Sequence, residues 1–414
     1  MIGQQKTARM RHLRPARLIH FFLLLGAIVS TSAAKADVVL LGSVAIPGTA
    51  TDKSGLMDVL SDGTPHNRLG ALGSGISYTG KGNRYILLPD RGPVDGQANY
   101  HCRVQFMDIS LTLGGNPVLQ ANLVATTFLK TEAGQQLVGA TTAFTSADPA
   151  KTLRFDPEGI RVSRGGSIFI SDEYGPFIYE FTHEGKRLRS LKVPEKFMVK
   201  VPKADPKEEL AANTSGRYPN RGLEGLAITP SGEKLLAAMQ SPLIQDGGGD
   251  GTNNRLLEIE LKTGATREFL YPLASTVHGL TEILAVNDHE FLVFERDHRK
   301  GAKAKFKWIT KIDISGATDI SGMAALPRTE IPAGVTPVKK ELCINLLDPK
   351  FGLAGPDLPE KIEGLAFGPD LPDGRHLLLV TSDNDFIATQ PTYIYAFAID
   401  KKDLPSFQPQ VFRK

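Results

Sequence analysis

The stretch Gly222-Leu223-Glu224-Gly225-Leu226-Ala227-Ile228-Thr229-Pro230-Ser231-Gly232-Glu233-Lys234-Leu235-Leu236-Ala237-Ala238-Met239-Gln240 decides the fold. It holds two apolar runs of strand length, separated by a Pro-Ser-Gly turn. An acid stands near its start and a polar tip at its end. The opening phrase recurs with variation along the chain. It reads Ser74-Gly75-Ile76-Ser77, Glu158-Gly159-Ile160-Arg161, Glu224-Gly225-Leu226-Ala227, Glu282-Ile283-Leu284-Ala285 and Glu363-Gly364-Leu365-Ala366. The first copy lacks the acid and the fourth lacks the glycine.

Each phrase is followed by a turn and a second apolar run with a polar end: Tyr85 to Arg91, Ile168 to Glu173, Leu235 to Gln240, Phe291 to Arg296 and Leu377 to Asp385. A third run follows, as in Phe177 to Phe181, Arg255 to Ile259 and Tyr393 to Phe397. A fourth is seen at Leu188 to Val193 and Arg267 to Tyr271. Four antiparallel strands per repeat form the blade of a β-propeller. A lone blade cannot bury both faces, whereas a ring of blades buries them and protects the sheet edges.

The expectation is an all-β chain forming a single β-propeller of four-stranded blades. Five repeats are counted, and intervals of 84, 66, 58 and 81 residues between phrases leave room for a sixth. The last repeat lacks a fourth strand, and Val38 to Ile46 is expected to supply it and close the ring. A β-sandwich or a two-domain β protein is the alternative. Lys200 to Asn220, Gly247 to Gly251 and Asp319 to Lys340 read as loops and excursions.

Residues 1–36 read as a secretory signal peptide, leaving residues 37–414 as the propeller domain. Arg9, Arg11, Arg14 and Arg17 precede an apolar run from Leu18 to Val29, and Ala34-Lys35-Ala36 resembles a cleavage site. The run is short for a membrane span. The chain carries 48 Lys and Arg against 45 Asp and Glu, a net +3. Six of the basic residues and no acid fall in residues 1–36, so the remainder is near −3. This balance excludes a nucleic-acid footprint. Export to the periplasm or medium leaves a disulfide between Cys102 and Cys343 open, beside two free thiols.

In such a blade the innermost strand lines the channel and its neighbour returns beside it. The start of the first and the end of the second therefore share one rim. This brings Glu158, Glu224, Glu282 and Glu363 around one opening, joined by Asp90, Arg91, Asp172, Glu173, Gln240, Glu295, Arg296, Asp383, Asn384 and Asp385. Aligned by strand ends, one column reads Arg91, Glu173, Gln240, Glu295 and Asn384. Two like charges 4 Å apart repel by about 4 kcal/mol at an effective dielectric near 20. A hard cation with oxygen ligands relieves that, and Ca²⁺ tolerates irregular carboxylate geometry. The competing reading is that each acid hydrogen-bonds the adjacent blade.

Several phrases resemble the phytase-like family described by the esterase-like activity of phytase, a relative of β-propeller phytases. They are Asp156-Pro157-Glu158-Gly159-Ile160, Ser171-Asp172-Glu173-Tyr174-Gly175-Pro176, Gly222 to Ala227, Gln240-Ser241-Pro242-Leu243, Glu295-Arg296-Asp297 and Ser382-Asp383-Asn384-Asp385-Phe386. The resemblance implies calcium-dependent hydrolysis of a small-molecule ester or phosphoester by an exported monomer. The expected metal ligands are Glu158, Glu173, Glu224, Glu363, Asp90, Asp172 and Asp383. Glu282 or Glu295 would serve as general base, and Arg91 or Arg296 would stabilise negative charge. Gln240, Asn384 and Asp385 are expected to touch substrate. Pro89 departs from the Ser expected there, and basic residues suited to a polyphosphorylated substrate are scattered.

No Gly-x-Ser-x-Gly elbow, His-Glu-x-x-His zinc motif, P-loop or Arg-His-Gly phrase occurs. The alternatives are a non-catalytic envelope propeller binding a small ligand, glycan or protein, and a lactonase or sugar-ester hydrolase with one channel Ca²⁺.

Overall fold

Alternating apolar residues and tight turns generate twenty strands in a computed structural model that describes residues 37–413. After β1 (Val38–Ile46), blade 1 comprises β2 (Gly75–Tyr78), β3 (Arg84–Leu88), β4 (Arg103–Thr112) and β5 (Val118–Phe128). Blade 2 comprises β6 (Pro157–Val162), β7 (Ile168–Asp172), β8 (Ile178–Phe181) and β9 (Arg187–Ser190). Blade 3 runs through β10 (Leu223–Ile228), β11 (Lys234–Met239), β12 (Asn253–Glu260) and β13 (Thr266–Pro272). Blade 4 contains β14 (His278–Ala285), β15 (Glu290–Asp297), β16 (Lys307–Asp313) and β17 (Lys339–Asn345). In blade 5, β18 (Ile362–Phe367), β19 (His376–Ser382) and β20 (Thr392–Ile399) are completed by β1.

Each blade is a four-stranded antiparallel sheet. The inner strands β2, β6, β10, β14 and β18 pack on one another in a closed circuit. The propeller therefore has five blades. The long intervals that left room for a sixth hold loops, including the Ile314 to Val338 excursion of blade 4. Ring closure follows the expectation: Val38 pairs with Ile399 and Ile46 with Thr392. Closing the last blade with the first strand ties the two ends of the domain together.

The core lies between blades. Phe169, Ile178, Leu226, Leu235 and Leu257 pack across blades 2 and 3, and Leu284, Phe294, Leu365, Val380 and Phe397 across blades 4 and 5. The glycine of the repeated phrase permits this approach. A Cβ on Gly159 would stand 2.6 Å from the backbone nitrogen of Leu226. One on Gly225 would stand 2.8 Å from that of Ile283.

Both cysteines are free thiols, Cys102 buried and Cys343 half-buried. The signal-peptide expectation lies outside the described residues. Among the described residues no helix is long and apolar enough to cross a membrane.

Candidate functional site

Register decides which side chains reach the channel mouth. In β10, Leu223 faces Met239 and Gly225 faces Ala238, so Glu224 is the extra residue of a bulge. In β14, Leu280 faces Glu295 and Glu282 faces Phe294, so the extra residue is Thr281. Bulges at the same level carry Glu158 in blade 2 and Glu363 in blade 5. The inner column is thus Ser74, Glu158, Glu224, Thr281 and Glu363.

The returning strands give a second column. The backbone N–H groups of Glu173, Gln240 and Asp383 each donate, at 2.9 Å, to the carbonyls of Asp156, Gly222 and Lys361. Arg296 pairs with Gly279 at the same level. With Asp90 from blade 1, the column reads Asp90, Glu173, Gln240, Arg296 and Asp383. It differs by one residue in blades 1, 4 and 5 from the alignment by strand ends. These residues, with Glu158, Glu224 and Glu363, line a cavity of about 180 Å³.

Asp156, Glu158 and Glu173 form its acidic centre. One carboxylate oxygen from each lies within 4.8 Å of the others. Arg91 bonds Asp156 through its Nη1 and its backbone N–H, and reaches Glu173 at 3.2 Å. Glu173 Oε1 and Glu224 Oε2 are buried with no hydrogen-bond partner. Burial, then Glu224 and Asp156, push the Glu158 carboxyl well above its ordinary range. Burial, then Glu173 and Glu363, do the same to Glu224. Glu173 is pushed up to about 8 by burial and by Asp156. Crowded, dry carboxylates with orphaned oxygens hold protons in the absence of a cation. Hard oxygen donors with unfilled valences are also what Ca²⁺ requires, so the residues present fit that ion.

The rest of the rim carries its own ion-pair and hydrogen-bond partners. Lys361 pairs with Asp383 at 3.1 Å and also with Asp385, and its Nζ lies 3.9 Å from Asp90. Arg296 Nη2 donates to Glu363 at 2.7 Å. Gln240 Nε2 donates to Glu224 Oε1 at 2.7 Å. His298 stands 3.3 Å from Arg296 Nη1 through its Nδ1. Burial, with Arg296 and Arg221, pushes that imidazole down to about 3, so it is neutral. Accepting from arginine at Nδ1 puts its proton on Nε2.

Five expected site residues do other work. Glu282 occupies the glycine position of its repeat. Its carboxylate accepts from the N–H groups of Leu226 and Ile283 and meets Arg161 at 3.0 Å within the channel. It locks blades 2, 3 and 4 together away from the mouth. Glu295 accepts from Tyr271 Oη and the Ala274 N–H, and contacts His278 and Lys340. Asp172 accepts from the N–H groups of Asp156, Tyr174 and Gly175, and is a turn-forming rather than a metal-facing carboxylate. Asn384 ties loops, accepting from Ala71 and Phe386 and donating to Gln390. Asp385 sits at the outer edge on Lys361.

Asp156 and Lys361 were not singled out from sequence as site residues, and His298 reads there as able to reach the rim but more in keeping with a surface or packing role. Asp156 stands in a quoted phrase, two residues before Glu158, and that spacing was its signal.

The description of the phytase-like family, the esterase-like activity of phytase, matches residues 67–386. The chain is 25% identical over 345 residues to an uncharacterised secreted protein of Arthroderma benhamiae, and the match covers 64% of each chain. It thus spans less than two thirds of that relative. Among solved structures it is similar to regucalcin, a calcium-binding protein of Agrobacterium tumefaciens. Identity is 12%, coverage 83% and 94%, and the TM-score 0.36. It is also similar to a gluconolactonase of Xanthomonas campestris, at 11% identity, coverage of 86% and 97%, and a TM-score of 0.31. Likeness at that level carries no argument about chemistry. The family match runs from just before the first blade into the last, and the chain belongs to the phytase-like family.

Proposed function

We propose that the chain is an exported, calcium-dependent hydrolase of small phosphate or other esters, acting as a monomer at the propeller mouth. The observation that carries this reading is the Asp156–Glu158–Glu173 cluster, with orphaned oxygens on Glu173 and Glu224. Buried acceptors without partners destabilise a fold by about 1–3 kcal/mol each, and a bound cation would relieve both. The signal-like residues 1–36, and a relative described as secreted, support export.

Asp156, Glu158, Glu173 and Glu224 would hold the ion. Calcium bound there would polarise an ester oxygen and lower the pKa of a coordinated water. Arg91 orients the cluster, since it fixes both Asp156 and Glu173. Across the mouth, Arg296 is held by Glu363 and aims positive charge at an anionic group. Neutral His298 offers its Nε2–H to a substrate oxygen. Gln240 fixes Glu224 Oε1 and leaves Oε2 to face the cluster.

The test is turnover of 4-nitrophenyl phosphate, phytate, lactones and carboxyl esters by purified protein, with calcium and after chelation. Metal content is measured in parallel. Calcium-dependent turnover that falls at least a hundredfold in Glu224→Gln is expected. Absence of both turnover and retained metal refutes the reading.

A further inference from the structure

Beside the mouth, over blade 2, lie two adjoining cavities that form a groove. The first, about 480 Å³, shares Arg91 with the mouth cavity. The second, about 410 Å³, shares Arg154 and Tyr174 with the first. Its far walls are apolar, formed by Phe144, Phe177 and Val199.

Arg154 stands at the junction and is 5% exposed. Its guanidinium lies 4.2 Å from the ring centre of Phe144 and 4.6 Å from that of Tyr174. Nη1 donates to the carbonyls of Thr141 at 3.2 Å and Lys203 at 3.1 Å. Eight arginines are buried among the described residues. Seven have a carboxylate within ion-pair distance, and Arg154 does not. The nearby acids are committed elsewhere. Glu209 takes Arg217 at 2.6 Å and the Lys203 N–H at 2.9 Å. Asp172 takes backbone N–H groups.

Two carbonyl acceptors do not need a full charge, because a neutral amide would satisfy them. An uncompensated buried cation is costly unless something anionic visits it. The flanking rings add a requirement for a flat apolar body that stacks beside the guanidinium. Burial and Arg217 lower the pKa of Arg154 below its ordinary value, consistent with a missing counter-charge.

We propose that this groove is a binding subsite for an organic anion with a flat apolar body. The anionic group would sit on Arg154 and the body among Phe144, Phe177 and Val199. That this anion is the non-reacting part of the ester cleaved at the mouth rests on the hydrolase reading.

The test is titration of the full-length protein with 2-naphthoate and with neutral 2-naphthamide, by calorimetry. Naphthoate is expected to bind at least tenfold more tightly than the amide. Arg154→Gln should weaken naphthoate at least tenfold and Phe144→Ala several-fold, while Glu224→Gln leaves it unchanged. Phe144 is 40% exposed, so its variant keeps the test open should the arginine variant misfold. Equal binding of acid and amide, or binding indifferent to both groove variants, overturns the subsite. Naphthoate binding that tracks the variants without turnover of any ester upholds the subsite and fails the hydrolase reading alone. With turnover present, esters whose aryl part keeps a free carboxylate should show a raised KM and unchanged kcat in Arg154→Gln. An unchanged KM overturns the assignment of the occupant to the substrate.

Discussion

Calcium uptake should release protons, and Glu173 is one of the groups that supplies them. Its carboxyl is pushed up to about 8 by burial and by Asp156. Without a cation at pH 7 it keeps a proton that a ligating carboxylate must surrender. For one such proton the apparent affinity is reduced about a hundredfold at pH 6 and about twofold at pH 8. Calcium should therefore bind about fifty-fold more tightly at pH 8 than at pH 6. Calorimetry at pH 7 in two buffers of unequal protonation enthalpy should report about one proton released from Glu173 and further protons from Glu158 and Glu224. In Glu173→Gln the pH dependence should flatten and the affinity at pH 8 should fall. The same group fixes the sign of the stability change. Between its ordinary value of 4.5 and about 8 the folded chain holds a proton that the unfolded chain has lost. Its contribution to stability is complete below about 4.5 and is lost as pH rises through about 8. For Glu173 alone this amounts to on the order of 5 kcal/mol, an upper bound because the buried Glu158 carboxyl beside it titrates too. The rise in Tm on adding calcium should accordingly grow from pH 5.5 to pH 8. Affinity that is flat over this range, with no buffer-dependent heat, would refute the argument.

Three further outcomes are expected. Glu295→Gln should lower stability by about 2–3 kcal/mol, since the carboxylate takes charge-assisted bonds from Lys340, Tyr271 and a backbone N–H. Burial pushes that carboxyl up, but His278 and Lys340 outweigh it and leave it below its ordinary value. The loss should be full at neutral pH and vanish as pH falls through the lowered value, while turnover at the mouth is unchanged; thermal melts at pH 7 and pH 3 check this. Lys361→Met should strip the cation from Asp90, Asp383 and Asp385 and let a second calcium bind, read as a stoichiometry of two instead of one by calorimetry. Glu224→Gln should weaken calcium at least tenfold without lowering the Tm of the cation-free protein, because burial already disfavours the charged form of that carboxyl.

The fold was legible because its signals are local and repeated. Two apolar runs joined by a turn recur five times, and the phrase glycine marks where neighbouring blades touch. Ring closure was legible from a count: the last repeat is short by one strand, and Val38 to Ile46 is spare. The site was legible only to the level of a rim, because a bulge breaks strict alternation. Matching repeats by their acids put Glu282 in the fourth place, where pairing puts Thr281. The correct register had its own trace. Gly222-Leu223-Glu224 aligns with Gly279-Leu280-Thr281 when the preceding Gly-Leu is matched instead of the acid. Arg154 was visible only as one of several scattered basic residues, because its exceptional feature is the carboxylate it lacks, and partners come from distant loops.

The corrected register changes the chemistry as well as the bookkeeping of residues. A ring with acids in four or five of its inner positions would be a symmetric sink for cations. With Ser74 in blade 1 and Thr281 in blade 4, that symmetry is broken. Blade 2 supplies Asp156, Glu158 and Glu173, whereas blade 4 supplies Thr281, Arg296 and the neutral His298. Lys361 is shared among the acids between blades 5 and 1. The mouth is thus polarised, with unsatisfied carboxylate oxygens on one side and a guanidinium and an imidazole N–H on the other. A cation on the blade 2 side and an arginine on the blade 4 side would grip an ester oxygen from two directions. The groove that carries Arg154 lies on the blade 2 side, so an elongated substrate would lie with its reacting end toward blade 4 and its anionic body along blade 2.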